Sequence, residues 1–196
     1  MGFKVDYHMH SYFSDGTMSP TELVKRAKNL EFTEIAITDH ETTDGITEEQ
    51  IAGEALEINV ISGIEMEAEY AKGVLLHILG YRFDVENTTL KELIDEFAVY
   101  RDRRNEKLLA KLAEMGYPLQ IEDMRLHKKQ KYFCKGVMAR AMVRKGYVAT
   151  PKEAFSKVFS NEEIQNIKKE QIPVRRVMQT LVAAGATISW AHPMKT

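Results

Sequence analysis

Short apolar segments alternate with helix-start signals through the first 65 residues. Apolar runs predict strands at residues 3–7, 34–38 and 59–64. Between them, residues 19–22 combine a serine N-cap, a proline at the first helical position and a glutamate three residues after the cap. Residues 47–50 predict a second capping box. This strand, helix, strand, helix, strand order predicts an α/β fold with parallel strands and helices packed outside them.

The pattern changes further along the chain. A hairpin is predicted with arms at 66–70 and 74–81, turning at Lys72-Gly73. Helical periodicity then dominates until a last amphipathic helix feeds a strand at 186–191. The predicted organisation is a first part at 1–87, a helical insertion subdomain at 88–172 and a return strand segment at 173–196.

Histidines and acidic residues occur in or just after the predicted strands. His8 and His10 lie two residues apart, so a strand would point both to the same face. An H-x-H pair alone is weak evidence, but five of the six histidines share this placement. Active sites of parallel α/β folds gather at the carboxyl ends of the strands. Imidazole and carboxylate groups converging there predict a divalent metal site. The later candidates are His40, Glu65, His77 and His192.

Three other residues have simpler interpretations. Asp39 is interpreted as a support for His40 or a neighbouring loop rather than as a ligand. His127, among basic residues, is interpreted as a surface histidine. Trp190 is assigned to the core with the aliphatic residues of the strands.

Charge is distributed unevenly along the 196 residues. Residues 1–100 contain 7 Lys and Arg against 20 Asp and Glu, whereas residues 101–145 contain 13 against 5. An acidic segment suits cations and a basic one suits a phosphorylated substrate, although both could be solvated helix faces. A single cysteine, Cys134, excludes an internal disulfide framework, and neither a signal segment nor an apolar membrane span is apparent. We therefore expect a cytoplasmic protein without membrane contact.

Rival chemistries have no support in the sequence. It contains no serine nucleophile elbow, glycine-rich phosphate loop or H-E-x-x-H helix. It contains no recognised nucleic-acid motif, so we do not expect sequence-specific DNA binding.

Six short motifs follow one another along the chain. They are His8-Met-His10, Ser14-Asp15-Gly16, Ile37-Thr38-Asp39-His40, Ser62-Gly63-Ile64-Glu65, His77-Ile78-Leu79-Gly80 and Ala191-His192-Pro193. Together and in this order they resemble the motifs of the PHP (polymerase and histidinol phosphatase) superfamily. The helical insertion, with residues 140–148 followed by 153–155, is similar to the branch of small metal-dependent phosphoesterases. That branch includes 3′,5′-nucleoside bisphosphate phosphatases and 5′-to-3′ exoribonucleases.

The resemblance implies a distorted (β/α)7 barrel that holds two or three divalent ions, commonly manganese, zinc or iron. Carried over position by position, Glu65 would bridge two ions. The implied ligands are His8, His10 and Glu65 for one ion, Glu65, His77 and His192 for a second, and Asp15 with His40 for a third.

The resemblance also implies strands beyond residue 196. The family pattern has a late Asp-x-His that this sequence does not reach, and without the insertion about 111 residues remain, against ~250 for an eight-unit barrel. We therefore expect the barrel to be incomplete in this chain. The leading interpretation is a truncated normal enzyme, and the alternative is a metal-binding or phosphate-binding fragment without turnover.

The implied activity is hydrolysis of a phosphate ester, on a small nucleotide or on the 5′ end of short RNA. Another phosphorylated metabolite is the alternative substrate. Lys135, Arg140 and Lys195 are the candidates for binding a second phosphate. The competing interpretation is solvated charge for the two lysines and a helix-surface ion pair for Arg140. The family branch has an Arg-Pro-His-Ile-Ala-Arg-like run here. Arg140 matches its last arginine, but Lys135 and Val137 depart from it, which leaves the nucleotide specificity open.

Overall fold

The computed structural model describes residues 3–193. The strands are β1 Val5–Met9, β2 Glu34–Ile37, β3 Asn59–Val60, β4 Gly63–Ala71, β5 Val74–Tyr81 and β6 Thr187–Trp190. The helices are α1 Pro20–Asn29, α2 Ile46–Leu56, α3 Thr88–Glu114, α4 Ile121–Met124, α5 Lys135–Arg144, α6 Pro151–Glu153, α7 Glu162–Gln165 and α8 Val174–Ala183. A π-helical segment, Ala154–Phe159, continues α6.

The described strands form two three-stranded sheets. One has the order β1-β2-β3 with parallel pairing, and the other has the order β4-β5-β6 with antiparallel pairing. An isolated parallel bridge between His40 and Glu65 joins the end of β2 to β4. The predicted α/β class is confirmed. The sheets are not closed among the described residues, so the barrel itself remains a prediction.

The two predicted capping boxes have different outcomes. At α1 the Ser19 side chain accepts the Glu22 N–H and the Glu22 carboxylate accepts the Ser19 N–H, as predicted. At α2 the prediction is wrong, because the helix already begins at Ile46 and its N-cap, Gly45, makes no side-chain cap bond. Glu49 in the first turn of α2 is 1% exposed, so its side chain lies in the interior.

Two strand predictions need correction. The strand predicted at 59–64 is split into β3 and β4, and Glu65 lies inside β4 rather than after a strand end. The hairpin is confirmed, although its first arm is longer than predicted and begins at Gly63. Trp190 is 48% exposed instead of buried, because the face of β6 to which it points is not fully covered by other described residues.

The chain divides into two compact units. The first comprises Met1–Phe97 and Gln171–Thr196, and the second comprises Ala98–Glu170. In the first unit, Val24 and Ala27 of α1 pack with Ile35 and Ile37 of β2, which fixes the parallel sheet against its helices. In the second unit, residues from α3, α5 and the π-helical segment form a separate core, including Leu108, Met138, Met142, Val158 and Phe159.

The predicted domain limits at 87/88 and 172/173 do not coincide with the division into these units. Helix α3 runs without a break from Thr88 to Glu114 and so begins in the first unit. Between residues 3 and 193, no helix combines the length and apolar character that crossing a bilayer would need.

Candidate metal centre

The carboxylate of Glu65 lies at the centre of a cluster of histidines. Glu65 is 1% exposed, and both of its oxygens face imidazole nitrogens. Three nitrogens surround Oε2, namely His8 Nε2 at 3.0 Å, His10 Nε2 at 3.1 Å and His40 Nδ1 at 3.5 Å. Two surround Oε1, namely His77 Nδ1 at 2.8 Å and His192 Nε2 at 3.2 Å. The structure therefore brings together all five histidines that the sequence placed in or after strands.

Separate elements of the first unit deliver these side chains. His8 lies in β1 and His10 directly follows it, so the two rings project together, with their centroids 5.2 Å apart. His40 follows β2, and the backbone bridge to Glu65 holds it beside β4. His77 belongs to β5, and the carbonyl of His77 accepts the N–H of Ala191, which brings the neighbouring His192 to the cluster.

The loop after β1 is fixed by the buried carboxylate of Asp39. Asp39 Oδ1 accepts the Ser11 backbone N–H at 2.7 Å and the Ser14 hydroxyl at 2.5 Å, while Oδ2 accepts the Ser11 hydroxyl at 2.5 Å. Gly16 lies close to the same loop, and a Cβ there would come within 2.1 Å of the His10 carbonyl oxygen. Asp39 thus supports the loop that carries the candidate ligands, in the role predicted for it.

Asp15 lies at the edge of the cluster. Its Oδ1 is 3.8 Å from His10 Nδ1, and its Oδ2 is 3.9 Å from His40 Nε2. Asp15, His10 and His40 each offer one potential ligand atom, and these three atoms lie within 4.8 Å of one another. Two further groups satisfy the same condition, His8 with His10 and Glu65, and His40 with Glu65 and His77.

The histidines strongly perturb the ionisation of Glu65. Burial alone would raise the pKa of this carboxyl, but hydrogen bonds with His10, His77 and His8 outweigh it and hold the pKa well below its ordinary value. Burial disfavours the charged form of His77, yet Glu65 and Glu67 raise the pKa of this imidazole to about 9. A carboxylate surrounded by imidazoles that compete for protons is typical of a site that exchanges protons for cations.

His40 and His10 respond to burial differently. Burial, with a smaller effect of the neighbouring His10 and His77, outweighs the opposing effect of Glu65 and Asp15 and lowers the pKa of His40 to about 4. For His10, burial is offset by Glu65, Asp15 and Asp39, so its pKa is raised. His40 is therefore neutral near pH 7, which is the form in which an imidazole binds a metal.

The donor atoms fit divalent ions. Ligands about 2.0–2.1 Å from a tetrahedral ion lie roughly 3.3 Å from one another, and the five imidazole nitrogens lie 2.8–3.5 Å from the Glu65 oxygens. Nδ1 of His10 is buried and makes no hydrogen bond within the described part of the chain. Buried polar atoms normally have a partner. If Nε2 of His10 binds an ion through the single lone pair of the neutral ring, Nδ1 carries the proton, and the Asp15 carboxylate, with Oδ1 3.8 Å away, is the nearby acceptor.

Backbone strain occurs at one of the candidate ligands. His192 has a φ of 32°, a conformation that residues other than glycine rarely adopt and that the following Pro193 also disfavours. Such strain is common at functional sites, where the surrounding structure holds it.

Comparison with known proteins agrees with this geometry. The family model described as PHP domain matches residues 6–170. The chain belongs to the PHP domain family. Among curated relatives, this PHP chain is 30% identical over 192 residues to a 5′-3′ exoribonuclease of Haemophilus influenzae, covering 98% of this chain and 69% of the relative. It is 25% identical over 190 residues to a 3′,5′-nucleoside bisphosphate phosphatase of Chromobacterium violaceum, covering 96% and 66%.

A solved structure agrees as well. A candidate metal-dependent phosphoesterase from Bifidobacterium adolescentis superposes with a TM-score of 0.89 at 26% identity, covering 98% of the PHP chain and 68% of that protein. The chain thus spans about two thirds of the length of these relatives. These findings place it among the metal-dependent phosphoric ester hydrolases.

Two of the three residues predicted to bind phosphate lie on one helix of the second unit. Lys135 is half-buried at the start of α5, and its pKa is lowered by burial and by the charges of Arg104 and Lys168. Arg140 lies on the same helix and is also partly buried. Val137, which stands where the family branch has a histidine, is 1% exposed and belongs to the core of the second unit. Lys195 lies outside the described residues.

One acidic residue beside the cluster was not predicted. Glu67 on β4 has its Oε2 3.6 Å from His77 Nε2. Because Glu65 and Glu67 lie two residues apart on one strand, the rule that identified His8 and His10 would have placed both carboxylates on one face. Because the apolar run 59–64 predicts a strand that ends before Glu65, the rule could not be applied to Glu65 and Glu67 from the sequence.

Proposed function

We propose that the cluster around Glu65 holds two or three divalent ions, manganese, zinc or iron, and that the PHP chain uses them to hydrolyse a phosphate ester. The observation that supports this most strongly is the single buried carboxylate with five imidazole nitrogens at 2.8–3.5 Å. When bound, clustered divalent ions supply an activated water and neutralise charge on the phosphoryl group.

The two oxygens of Glu65 support the division of ligands. We assign His8 and His10, which face Oε2, to one ion and His77 and His192, which face Oε1, to a second, with Glu65 bridging them. Asp15 and His40 are assigned to a third ion. The barrel that surrounds such a site in the implied fold, incomplete in this chain, is part of the same proposal.

The substrate we propose is a small nucleotide or the 5′ end of short RNA. The exoribonuclease and the bisphosphate phosphatase among the relatives support this class. The lowered pKa of Lys135, caused by burial and by Arg104 and Lys168, supports an anion-binding role for this basic group, since clustered cations are stabilised by a phosphate. Arg140 and Lys195 remain proposed phosphate contacts, and the cytoplasm remains the proposed compartment.

Phosphate release from three substrates tests the proposal. Adenosine 3′,5′-bisphosphate, histidinol phosphate and an aryl phosphate ester are each incubated with the chain and Mn²⁺, and a chelator serves as the control. Release from the bisphosphate and not from histidinol phosphate supports the nucleotide class, whereas the reverse supports another phosphorylated metabolite. A 5′-phosphorylated oligoribonucleotide that is shortened from its 5′ end would support the RNA substrate. Full metal content without turnover of any substrate would indicate the non-catalytic alternative.

A further inference from the structure

Glu67 and His77 are direct partners across the β4/β5 ladder. The register pairs Glu67 with His77 and Glu65 with Leu79. Glu65 and Glu67 are two residues apart on β4, and partners in a ladder project to the same face, so all three polar side chains share that face. His77 therefore lies opposite one carboxylate and diagonal to the other.

The two nitrogens of the His77 ring face different carboxylates. Nδ1 is 2.8 Å from Glu65 Oε1, while Nε2 is 3.6 Å from Glu67 Oε2. A neutral imidazole has one lone pair for a metal and one N–H. The nitrogen beside Glu65 points into the cluster, so the nitrogen beside Glu67 is the one that can carry the proton.

The other oxygen of Glu67 is also held. Gln171 Nε2 donates a hydrogen bond to Glu67 Oε1 at 3.5 Å. The neighbouring backbone is anchored to the same strand, because the Glu69 N–H donates to the Ile172 carbonyl at 2.8 Å. The Glu67 side chain is 29% exposed, so it is partly shielded from water.

Glu67 lies outside the groups of potential ligands. Among the described residues, the three sets whose donor atoms lie within 4.8 Å of one another do not include it. Glu67 lies next to Nε2 of His77, the ring nitrogen that faces away from Glu65. Carboxylates in this position orient a ligating histidine.

We propose that Glu67 is a positioning residue of the metal centre, which accepts the Nε2–H of His77 and so directs Nδ1 to the ion bound by Glu65. This inference rests on the proposed metal centre. Carboxylates that accept the second N–H of a ligating histidine fix its tautomer and orientation, and their loss typically weakens metal affinity by about 10- to 100-fold.

A double-mutant cycle on Mn²⁺ affinity tests this role without using activity. The unmodified chain, E67A, H77A and E67A/H77A are equilibrated with Mn²⁺ alone by dialysis, and bound metal is measured. E67A should weaken binding about 10- to 100-fold. In the H77A background the same substitution should change the affinity of the remaining Mn²⁺ by less than about 2-fold, because Glu67 acts through the missing ring.

Two conservative variants separate positioning from charge. E67Q keeps an oxygen that accepts the Nε2–H but removes the negative charge, so its affinity should lie between those of the unmodified chain and E67A. E69Q is the matched control, since it removes a charge from the same strand and keeps the oxygen that accepts the Gly73 N–H. E69Q should bind Mn²⁺ as the unmodified chain does, and circular dichroism should show that every variant is folded.

The outcomes separate this inference from the metal centre itself. Unchanged affinity in E67A, equal weakening by E67A in both backgrounds, or equal weakening by E69Q and E67Q would each overturn the role of Glu67 while leaving the metal centre in place. Absence of Mn²⁺ binding by the unmodified chain would overturn the proposed metal centre and this inference with it. Circular dichroism showing E67A and E67Q both unfolded would identify Glu67 as a structural residue and would also overturn the inference.

Discussion

Metal affinity should depend steeply on pH because His77 must lose a proton to bind an ion. Glu65 and Glu67 outweigh the effect of burial and raise the pKa of His77 to about 9. At pH 7, about two pH units lower, only about 1% of the rings are neutral, so the affinity of the ion on His77 should be about 100-fold weaker than above pH 9. Each step of one pH unit between 6.5 and 8.5 should therefore raise this affinity about tenfold.

The assay is Mn²⁺ binding at pH 6.5, 7.0, 7.5 and 8.0, with the logarithm of the association constant plotted against pH. The expected slope is at least about 1 for the ion that His77 binds, since one proton is released. H77Q serves as the control, and its slope should be lower by about 1 because the titrating ring is absent. An affinity that does not change with pH would refute the assignment of His77 as a ligand that competes for protons.

The metal-free chain should show the opposite trend in stability. A pKa raised from 6.5 to about 9 stabilises the folded state fully below pH 6.5, and this stabilisation is lost as pH rises through 9. Because the His77 side chain is only 25% exposed, water screens its interactions little. The pKa difference between the unfolded and the folded state corresponds to about 3 kcal/mol in the free energy of unfolding. Urea denaturation at pH 6.5 and 9 measures it, and equal stability at both values would contradict the raised pKa.

Three further substitutions test the packing around the site and the two cores. G16A should distort the loop after β1, because the added Cβ would lie 2.1 Å from the His10 carbonyl oxygen. The affinity for Mn²⁺ should therefore fall, and unchanged Mn²⁺ binding would contradict this close contact. Burial raises the pKa of Glu49 well above 4.5, so as pH rises this carboxyl ionises in the unfolded chain before it does in the folded one, and the free energy of unfolding declines. E49Q should lessen this decline in urea denaturation from pH 5 to 8. An identical pH profile for E49Q and the unmodified chain would refute the raised pKa. L108A removes a fully buried side chain from the second unit and should cost about 2–5 kcal/mol in thermal unfolding, whereas a loss below about 1 kcal/mol would contradict its core position.

In the first unit, the first helix cap and strand β2, which each depend on a single local sequence pattern, were predicted well. Ser19 and Glu22 form the cap that their spacing indicates, and the apolar run before His40 forms β2. The second cap failed because α2 begins at Ile46, so the predicted N-cap Thr47 already lies inside the helix, and the actual N-cap, Gly45, has no side chain that could close a box. Glu49 in the same turn is 1% exposed, and burial of an acidic side chain depends on the tertiary environment, which local propensity does not describe.

The candidate cluster was predictable because its residues follow the strand pattern, but its arrangement was not. Pairing of β5 with β4 and β6, which brings His77 and His192 to Glu65, is a long-range property. Trp190 shows the converse, since an apolar residue on a strand is buried only if another layer packs on the face to which it points, and Trp190 is 48% exposed. The position of Glu67 opposite His77 likewise required the register of the hairpin.

The account depends most on Glu65 as the shared ligand of a metal cluster. Metal analysis of the unmodified chain and of E65Q after equilibration with Mn²⁺ and removal of free ions tests it directly. We predict at least two ions per chain in the unmodified protein and fewer than one in E65Q, with both proteins folded by circular dichroism. An unmodified chain without bound metal, or an E65Q variant with the full complement of ions, would contradict the proposed centre.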